Sequence, residues 1–261
     1  MEKLKLALLG CGHLNEIVAK ALMDGYLPEY ELVGVFERDF NKAVNFSKTY
    51  NCTPCETIDE LMSLKPDYIA EAASVEAIRE YGEIILRNGA SLIVLSIGAF
   101  ADKEFYEQIK NTAFMNKRKV YIASGAVGGF DVLRTASLMS PITAKISSKK
   151  SPKSLKKTPL YKEGLLDIKE SEQVFSGTTK EAIEILPTHV NVAVATALAS
   201  AGPENTLMKI NALPDFVGDE YKIEIEGEEV KTDLNIYSKT SDIAGWSVVF
   251  VLQNIVSPIV F

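Results

Sequence analysis

The chain has 261 residues, of which 47% are apolar and 24% charged, the composition of a soluble globular protein large enough for one big domain or two small ones. Its net charge of -7 argues against a nucleic-acid partner, which calls for a basic face, while leaving anionic small molecules open because local fields differ from the net charge. The three cysteines, Cys11, Cys52 and Cys55, make no disulfide framework at this length. For the Cys52–Cys55 pair, His13 and His189 are the only histidines that could complete a zinc set, so two plain thiols in a loop before a helix are expected.

The first elements are the most informative. Leu4 to Leu9 is a short apolar run, Gly10-Cys11-Gly12-His13-Leu14-Asn15 follows at once, and Ile17 to Leu22 has helical periodicity. Strand, glycine turn and helix form the context of a dinucleotide site. Gly10 allows the tight turn. Gly12 lets the backbone approach a pyrophosphate, and the start of the helix offers free N–H groups and the positive end of its dipole. The third position of this pattern, where a small residue is usual, holds Asn15.

Strands are then predicted over Glu31–Phe36, Asp67–Ala72, Ser91–Ser96 and Lys119–Ala123, and helices over Asp59–Leu64, Ala77–Asn88 and Lys103–Phe114. This alternation implies a parallel, doubly wound sheet. After Ser124 the pattern changes. Lys145 to Lys157, with six lysines, reads as an exposed loop. Lys180–Leu186 and the alanine-rich Val192–Ala201 read as helices. Tyr221 to Ile236 reads as an antiparallel hairpin with its turn near Gly227, so the second half is α+β. The apolar stretch from Trp246 to Phe261 is too short for a membrane span and is broken by Gln253, Asn254 and Pro258, which points to a buried or interface helix. No basic leader with a cleavage site precedes the first strand, and a cytoplasmic protein is expected.

Glu37 ends the second predicted strand. A carboxylate there accepts both adenosine ribose hydroxyls and repels a 2′-phosphate, which favours NAD; Arg38, next in line, could instead pair with that phosphate and take NADP.

Further segments carry a resemblance. They are Glu71-Ala72-Ala73-Ser74, Ser96 to Asp102, Ser124-Gly125-Ala126-Val127-Gly128-Gly129-Phe130-Asp131, Lys149 to Leu155, Val174-Phe175-Ser176-Gly177 and Pro187-Thr188-His189-Val190-Asn191-Val192-Ala193. Together they resemble the L-aspartate dehydrogenase family, which makes iminoaspartate for NAD biosynthesis. The resemblance covers nearly the whole chain. It implies an N-terminal Rossmann dinucleotide-binding domain (1–124 plus 240–261), with the C-terminal helix packed back on it, and a smaller α+β catalytic and dimerisation domain (125–239). It also implies a homodimer. Ala126 and Asn191 match cofactor contacts on the nicotinamide side, and Gly10, Gly12, His13, Leu14, Glu37, Ala73 and Ser74 complete the expected NAD or NADP site.

The chain departs from the family where the catalytic histidine is found, in a run of the form A-D-P-x-x-x-x-N-x-H. Here the run is Ala212-Leu213-Pro214-Asp215-Phe216-Val217-Gly218-Asp219-Glu220-Tyr221, with Leu213 for the aspartate, Asp219 for the asparagine and Tyr221 for the histidine. Tyr221 is a poor direct replacement as a base, since ionising a phenol with a pKa of about 10 at neutral pH costs on the order of 4 kcal/mol. As a neutral group it can hold substrate or donate a hydrogen bond. His189 is the compensating candidate for acid–base work; the alternative is a histidine capping the alanine-rich helix. Lys150, Lys153 or Arg134 could meet a substrate carboxylate, or the lysines could be solvated. Three functions stay open: an aspartate dehydrogenase with an altered acid–base group, a dehydrogenase or imine reductase for another amino acid, and a nucleotide-binding protein without turnover.

Overall fold

The computed structural model describes residues 2–186 and 190–261. The chain divides into two compact units, Met1–Gly125 with Asp242–Phe261, and Ala126–Ser241.

The first unit alternates β1 (Leu4–Leu9), α1 (His13–Met23), β2 (Tyr30–Phe36), α2 (Phe40–Tyr50), β3 (Thr53–Cys55), α3 (Ile58–Ser63), β4 (Tyr68–Glu71), α4 (Val75–Arg87), β5 (Ser91–Val94), α5 (Lys103–Met115) and β6 (Val120–Ile122). The strands form one parallel sheet in the order β3-β2-β1-β4-β5-β6. This is the doubly wound order, whose direction of winding reverses between β1 and β4. Every residue of β5 is buried, as both faces of the sheet are covered. The expected loop at Cys52–Cys55 is corrected. Cys55 ends the edge strand β3, which is three residues long with a proline in its middle and so shows no strand period in the sequence. The helix α2, likewise absent from the sequence prediction, carries Phe46 and Ala43 into the core.

The second unit contains α6 (Phe130–Met139), β7 (Thr143–Lys150), α7 (Pro152–Leu155), β8 (Glu172–Thr178), α8 (Thr179–Ile185), α9 (Asn191–Ala199), β9 (Thr206–Ala212), β10 (Asp219–Glu226) and β11 (Lys231–Ser238). Its mixed sheet has the order β11-β10-β7-β9-β8. The predicted hairpin is β10–β11, closed where Gly227 N–H donates to the Val230 carbonyl. The lysine-rich stretch is a second correction: it is the central strand β7 followed by the short helix α7. Ala144, Ile146 and Ser148 are buried while Lys145 and Lys149 are exposed. The period of two is present, but a serine and an alanine on the inner face hide it. The same inner face takes Met208, Ile210 and Ala212 from β9 and Tyr221, Ile223 and Ile225 from β10. Helix α9 packs on β7 and β9, and α6 packs on α9.

The last helix, α10 (Asp242–Val256), belongs to the first unit and lies against α1. A Cβ on Gly245 would come within 3.0 Å of Leu14 O and closer still to Ile17, so the glycine sets the approach of the two helices. Tyr30 Oη donates to Leu252 O at 2.8 Å, and Ser247 Oγ accepts Gly125 N–H at 3.0 Å. Among the described residues no helix is long and apolar enough to cross a membrane.

Asn15, the unusual third residue of the glycine turn, is 1% exposed. Its Nδ2 donates to the carbonyls of Leu9 (3.0 Å) and Gly10 (2.9 Å), so it ties α1 to the end of β1 by hydrogen bonds where a small residue would do so by contact. Replacing Asn15 by leucine leaves those buried carbonyls without their donor. The expected loss of unfolding free energy is about 1–3 kcal/mol, read by urea denaturation.

Candidate active site

The residues that could hold a cofactor gather at the carboxyl ends of β1, β2 and β4. Gly10 has φ +99°, and a Cβ there would lie 2.9 Å from Ala72 O, so no other residue fits the crossing of the two loops. Gly12 is the N-cap of α1. It has no side-chain cap, and a Cβ on it meets nothing within 4 Å, which leaves open space before the first turn of the helix. The Glu37 carboxylate reaches back to accept Cys11 N–H at 3.1 Å and is thereby fixed beside the glycine turn. Gly10, Glu37, Arg38, Ala73 and Ser74 line a hollow of about 60 Å³, together with Phe36 and Tyr81. Five residues from three separate stretches of sequence thus converge as a ribose-and-phosphate site requires.

Ser74 also has a structural task, since its Oγ accepts Ala77 N–H as the N-cap of α4. His13 opens α1, but its ring turns elsewhere: Nε2 lies 2.7 Å from Asp242 Oδ1, in a separate cleft of about 340 Å³ that includes Lys20, Tyr26 and Trp246. Leu14 lies in the same first helical turn. A larger apolar hollow, about 380 Å³, lies between α5 and β6 and includes none of the predicted site residues.

Sequence reasoning gave Glu71 no role, and it is fully buried. One carboxylate oxygen accepts Ala73 N–H (2.8 Å) and Ser96 Oγ–H (2.6 Å); the other accepts Ser96 N–H (3.0 Å). Burial pushes its pKa above the ordinary carboxylate range, against the opposing pull of these donors. The effect is to clamp the loop after β4 to the loop after β5. The available sequence signal was an acidic residue ending an otherwise apolar strand.

In the second unit, Tyr221 is 8% exposed on the inner face of β10, and Ser148 of β7 stands directly opposite it. Lys150 Nζ donates to Tyr221 Oη at 2.8 Å and forms an ion pair with Asp219. Burial raises the Tyr221 pKa, Lys150 opposes that rise and Asp219 adds to it. For Lys150, burial lowers the pKa, but Tyr221 and Asp219 together outweigh it and hold the ammonium charged. Lys150 was one of several lysines that the sequence offered, and its inward direction follows from the β7 alternation. Lys153 lies in α7 and Arg134 is exposed on α6. Asn191 opens α9, Ala126 precedes α6, and His189 lies outside the described residues.

The parallel sheet, the glycine turn and the anchored carboxylate at the end of β2 define an NAD(P)-dependent oxidoreductase. Comparison with known proteins narrows this class. Residues 10–123 match the profile described as homoserine dehydrogenase, NAD binding domain, and residues 131–255 that described as aspartate dehydrogenase, C-terminal. The chain is 34% identical to the L-aspartate dehydrogenase of Methanococcus maripaludis and 31% identical to that of Methanosarcina mazei, in each case over 98% of both chains. Its fold matches the crystal structure of aspartate dehydrogenase from Thermotoga maritima over the full length of both, with a TM-score of 0.78 and 26% identity. GenD2 from gentamicin A biosynthesis, solved in complex with NAD, shares the fold alone, at 11% identity and a TM-score of 0.57. The protein belongs to the L-aspartate dehydrogenase family.

Two measurements check the site. Glu71→Gln puts an amide N–H where a donor must be accepted; the expected cost is about 1–3 kcal/mol of stability in a urea titration, with weaker cofactor binding. The thiols should resist alkylation in the folded protein at neutral pH. Burial pushes Cys11 and Cys52 up to about 12 and Cys55 up to about 11, which leaves almost no thiolate. Mass spectrometry of iodoacetamide-treated native and urea-unfolded protein should show modification in the unfolded sample alone.

Proposed function

We propose that the protein oxidises L-aspartate to iminoaspartate with NAD as coenzyme. The observation that carries this reading is the convergence of Gly10, Glu37, Ala73 and Ser74 on one hollow, in a chain that matches aspartate dehydrogenases from end to end. When bound, the nicotinamide accepts the hydride that leaves the substrate Cα. The chain's own residues do the rest. The uncapped start of α1, with the N–H groups of His13 and Leu14, receives the pyrophosphate. Gly12 gives it room. Glu37, held by Cys11 N–H, takes the adenosine ribose hydroxyls and disfavours a 2′-phosphate, so NAD is preferred to NADP. Ala126 and Asn191 are assigned to the nicotinamide side, and residues 1–124 with 240–261 to the cofactor domain.

Substrate binding and proton transfer belong to 125–239, where Tyr221 stands at the family's histidine position and His189 is the other acid–base candidate. The protein works as a homodimer in the cytoplasm, and its product enters NAD biosynthesis. A dehydrogenase or imine reductase for another amino acid is favoured by the changes at Leu213 and Tyr221 alone.

The test is fluorescence titration with NADH and NADPH, followed by assays of aspartate oxidation and oxaloacetate amination. Cofactor binding with turnover of aspartate is expected. Turnover confined to another amino acid selects the alternative, and binding without any turnover defeats both. Glu37→Ala should weaken NADH binding about 10–100-fold, the worth of hydrogen bonds to a charged group, while NADPH binding falls less.

A further inference from the structure

The ion pair beside Tyr221 bears on which form of that tyrosine takes part in the reaction. Lys150 Nζ donates to Tyr221 Oη, so one lone pair of the phenol is occupied and its own proton points away from Lys150. Asp219, two residues earlier on β10, holds the ammonium in place. Nζ lies 4.9 Å from the ring centroid, so the cation sits at the hydroxyl end of the ring. Across the strand pair, the Ser148 Oγ is buried and has no hydrogen-bond partner among the described residues. A second polar group therefore stands ready at the same spot.

Among the described residues the charged groups facing Tyr221 are Lys150 of β7 and Asp219 of its own strand. Ile236 of β11 lies opposite it, α9 carries no charge, and Asp131 and Arg134 of α6 are solvent-exposed.

We propose that the Tyr221 hydroxyl is the general acid that protonates the imine nitrogen when the reaction runs in the reductive direction, and that Lys150, fixed by Asp219, is its positioning residue. This rests on the dehydrogenase reading above. A hydride supplied by the reduced nicotinamide adds to the imine carbon. The C=N π pair takes the proton from Tyr221 Oη and becomes the new N–H bond. The O–H pair stays on oxygen as a phenolate next to the Lys150 ammonium, and a proton from water restores the phenol. Oxidation is the reverse: the phenolate accepts the amine proton, which makes that direction strongest at alkaline pH. Burial keeps Tyr221 neutral at pH 7, so it is poised as a donor and not as a base. A histidine is present in both its acid and its base form near neutrality; a tyrosine in this setting is present there as the acid.

Three variants and two readouts decide the matter. Tyr221→Phe keeps the ring packing and should lower kcat for oxaloacetate amination about 10²–10⁴-fold, the usual worth of a general acid, with little change in KM. Tyr221→His should restore turnover with its alkaline limb moved down toward about 6.5. Ultraviolet difference titration of the cofactor-free protein, with Tyr221→Phe subtracted, reports the phenol directly. It should titrate above the ordinary tyrosine range, and higher still in Lys150→Met. Should Lys150→Met fail to fold, the double variant Lys150→Gln with Asp219→Asn leaves no unpaired charge and serves in its place. An active wild type whose kcat and pH profile are indifferent to Tyr221→Phe overturns the acid role alone. A phenol titration unmoved by loss of Lys150 overturns its positioning role. A wild type that binds cofactor but turns over no amino or keto acid removes the dehydrogenase reading, and this one with it.

Discussion

The amide of Asn15 holds the start of α1 against the end of β1, and the cofactor side of the molecule depends on that joint. The first turn of α1 must face the open space beyond Gly12, at a fixed height above the sheet, if its N–H groups are to meet a phosphate. In the usual glycine turn a small third residue lets helix and strand approach by contact. Here a buried side chain does it through two hydrogen bonds to the carbonyls of Leu9 and Gly10. A bond is directional where a contact is not, so the helix is fixed in rotation as well as in distance. The amide oxygen has no partner among the described residues, a cost of burial that the two donated bonds offset.

The same device recurs. At the end of β4, Glu71 accepts from Ala73 and Ser96 and so joins two loops that have no ladder between them. In the second unit, Asp219 holds Lys150 and Lys150 holds Tyr221. Each is a buried or half-buried polar group with its partners drawn from neighbouring strands of one sheet. Such groups add little net stability, and removing one partner is expensive because the other is left behind. They give the loops a single arrangement, which a site for a flexible coenzyme or a small amino acid needs more than it needs extra stability.

Much of this was legible in the sequence where a local rule governs the fold. The strands β1, β2, β4, β5 and β6 announce themselves as apolar runs between helices, and the β10–β11 hairpin by alternation. The family resemblance extended the reading to Ala126 and Asn191. What escaped was set by tertiary neighbours. Strand β3 has three residues and a proline, and it exists because the edge of β2 pairs with it. Strand β7 looked like a solvated lysine loop because its inner face is built from Ala144, Ile146 and Ser148, which give a weak signal beside the lysines on the other face. Glu71 could be read as an acidic residue in a motif, but not as a clamp, because Ser96 lies far along the chain. The replacement of histidine by Tyr221 was plain in the sequence, whereas the cation beside it was one lysine among six until the strand register singled out Lys150.

The return of α10 to the first unit has a consequence for how the chain is made. The second unit is continuous, so it can close as soon as its own residues have left the ribosome. The first unit emerges earlier but cannot be completed, because Tyr30 and the exposed flank of α1 wait for Leu252 and Gly245. For the time needed to synthesise the intervening stretch, the apolar side of α1 has no cover. The first unit is therefore made first and completed last: all six strands of its sheet precede the second unit, and only its final helix follows it.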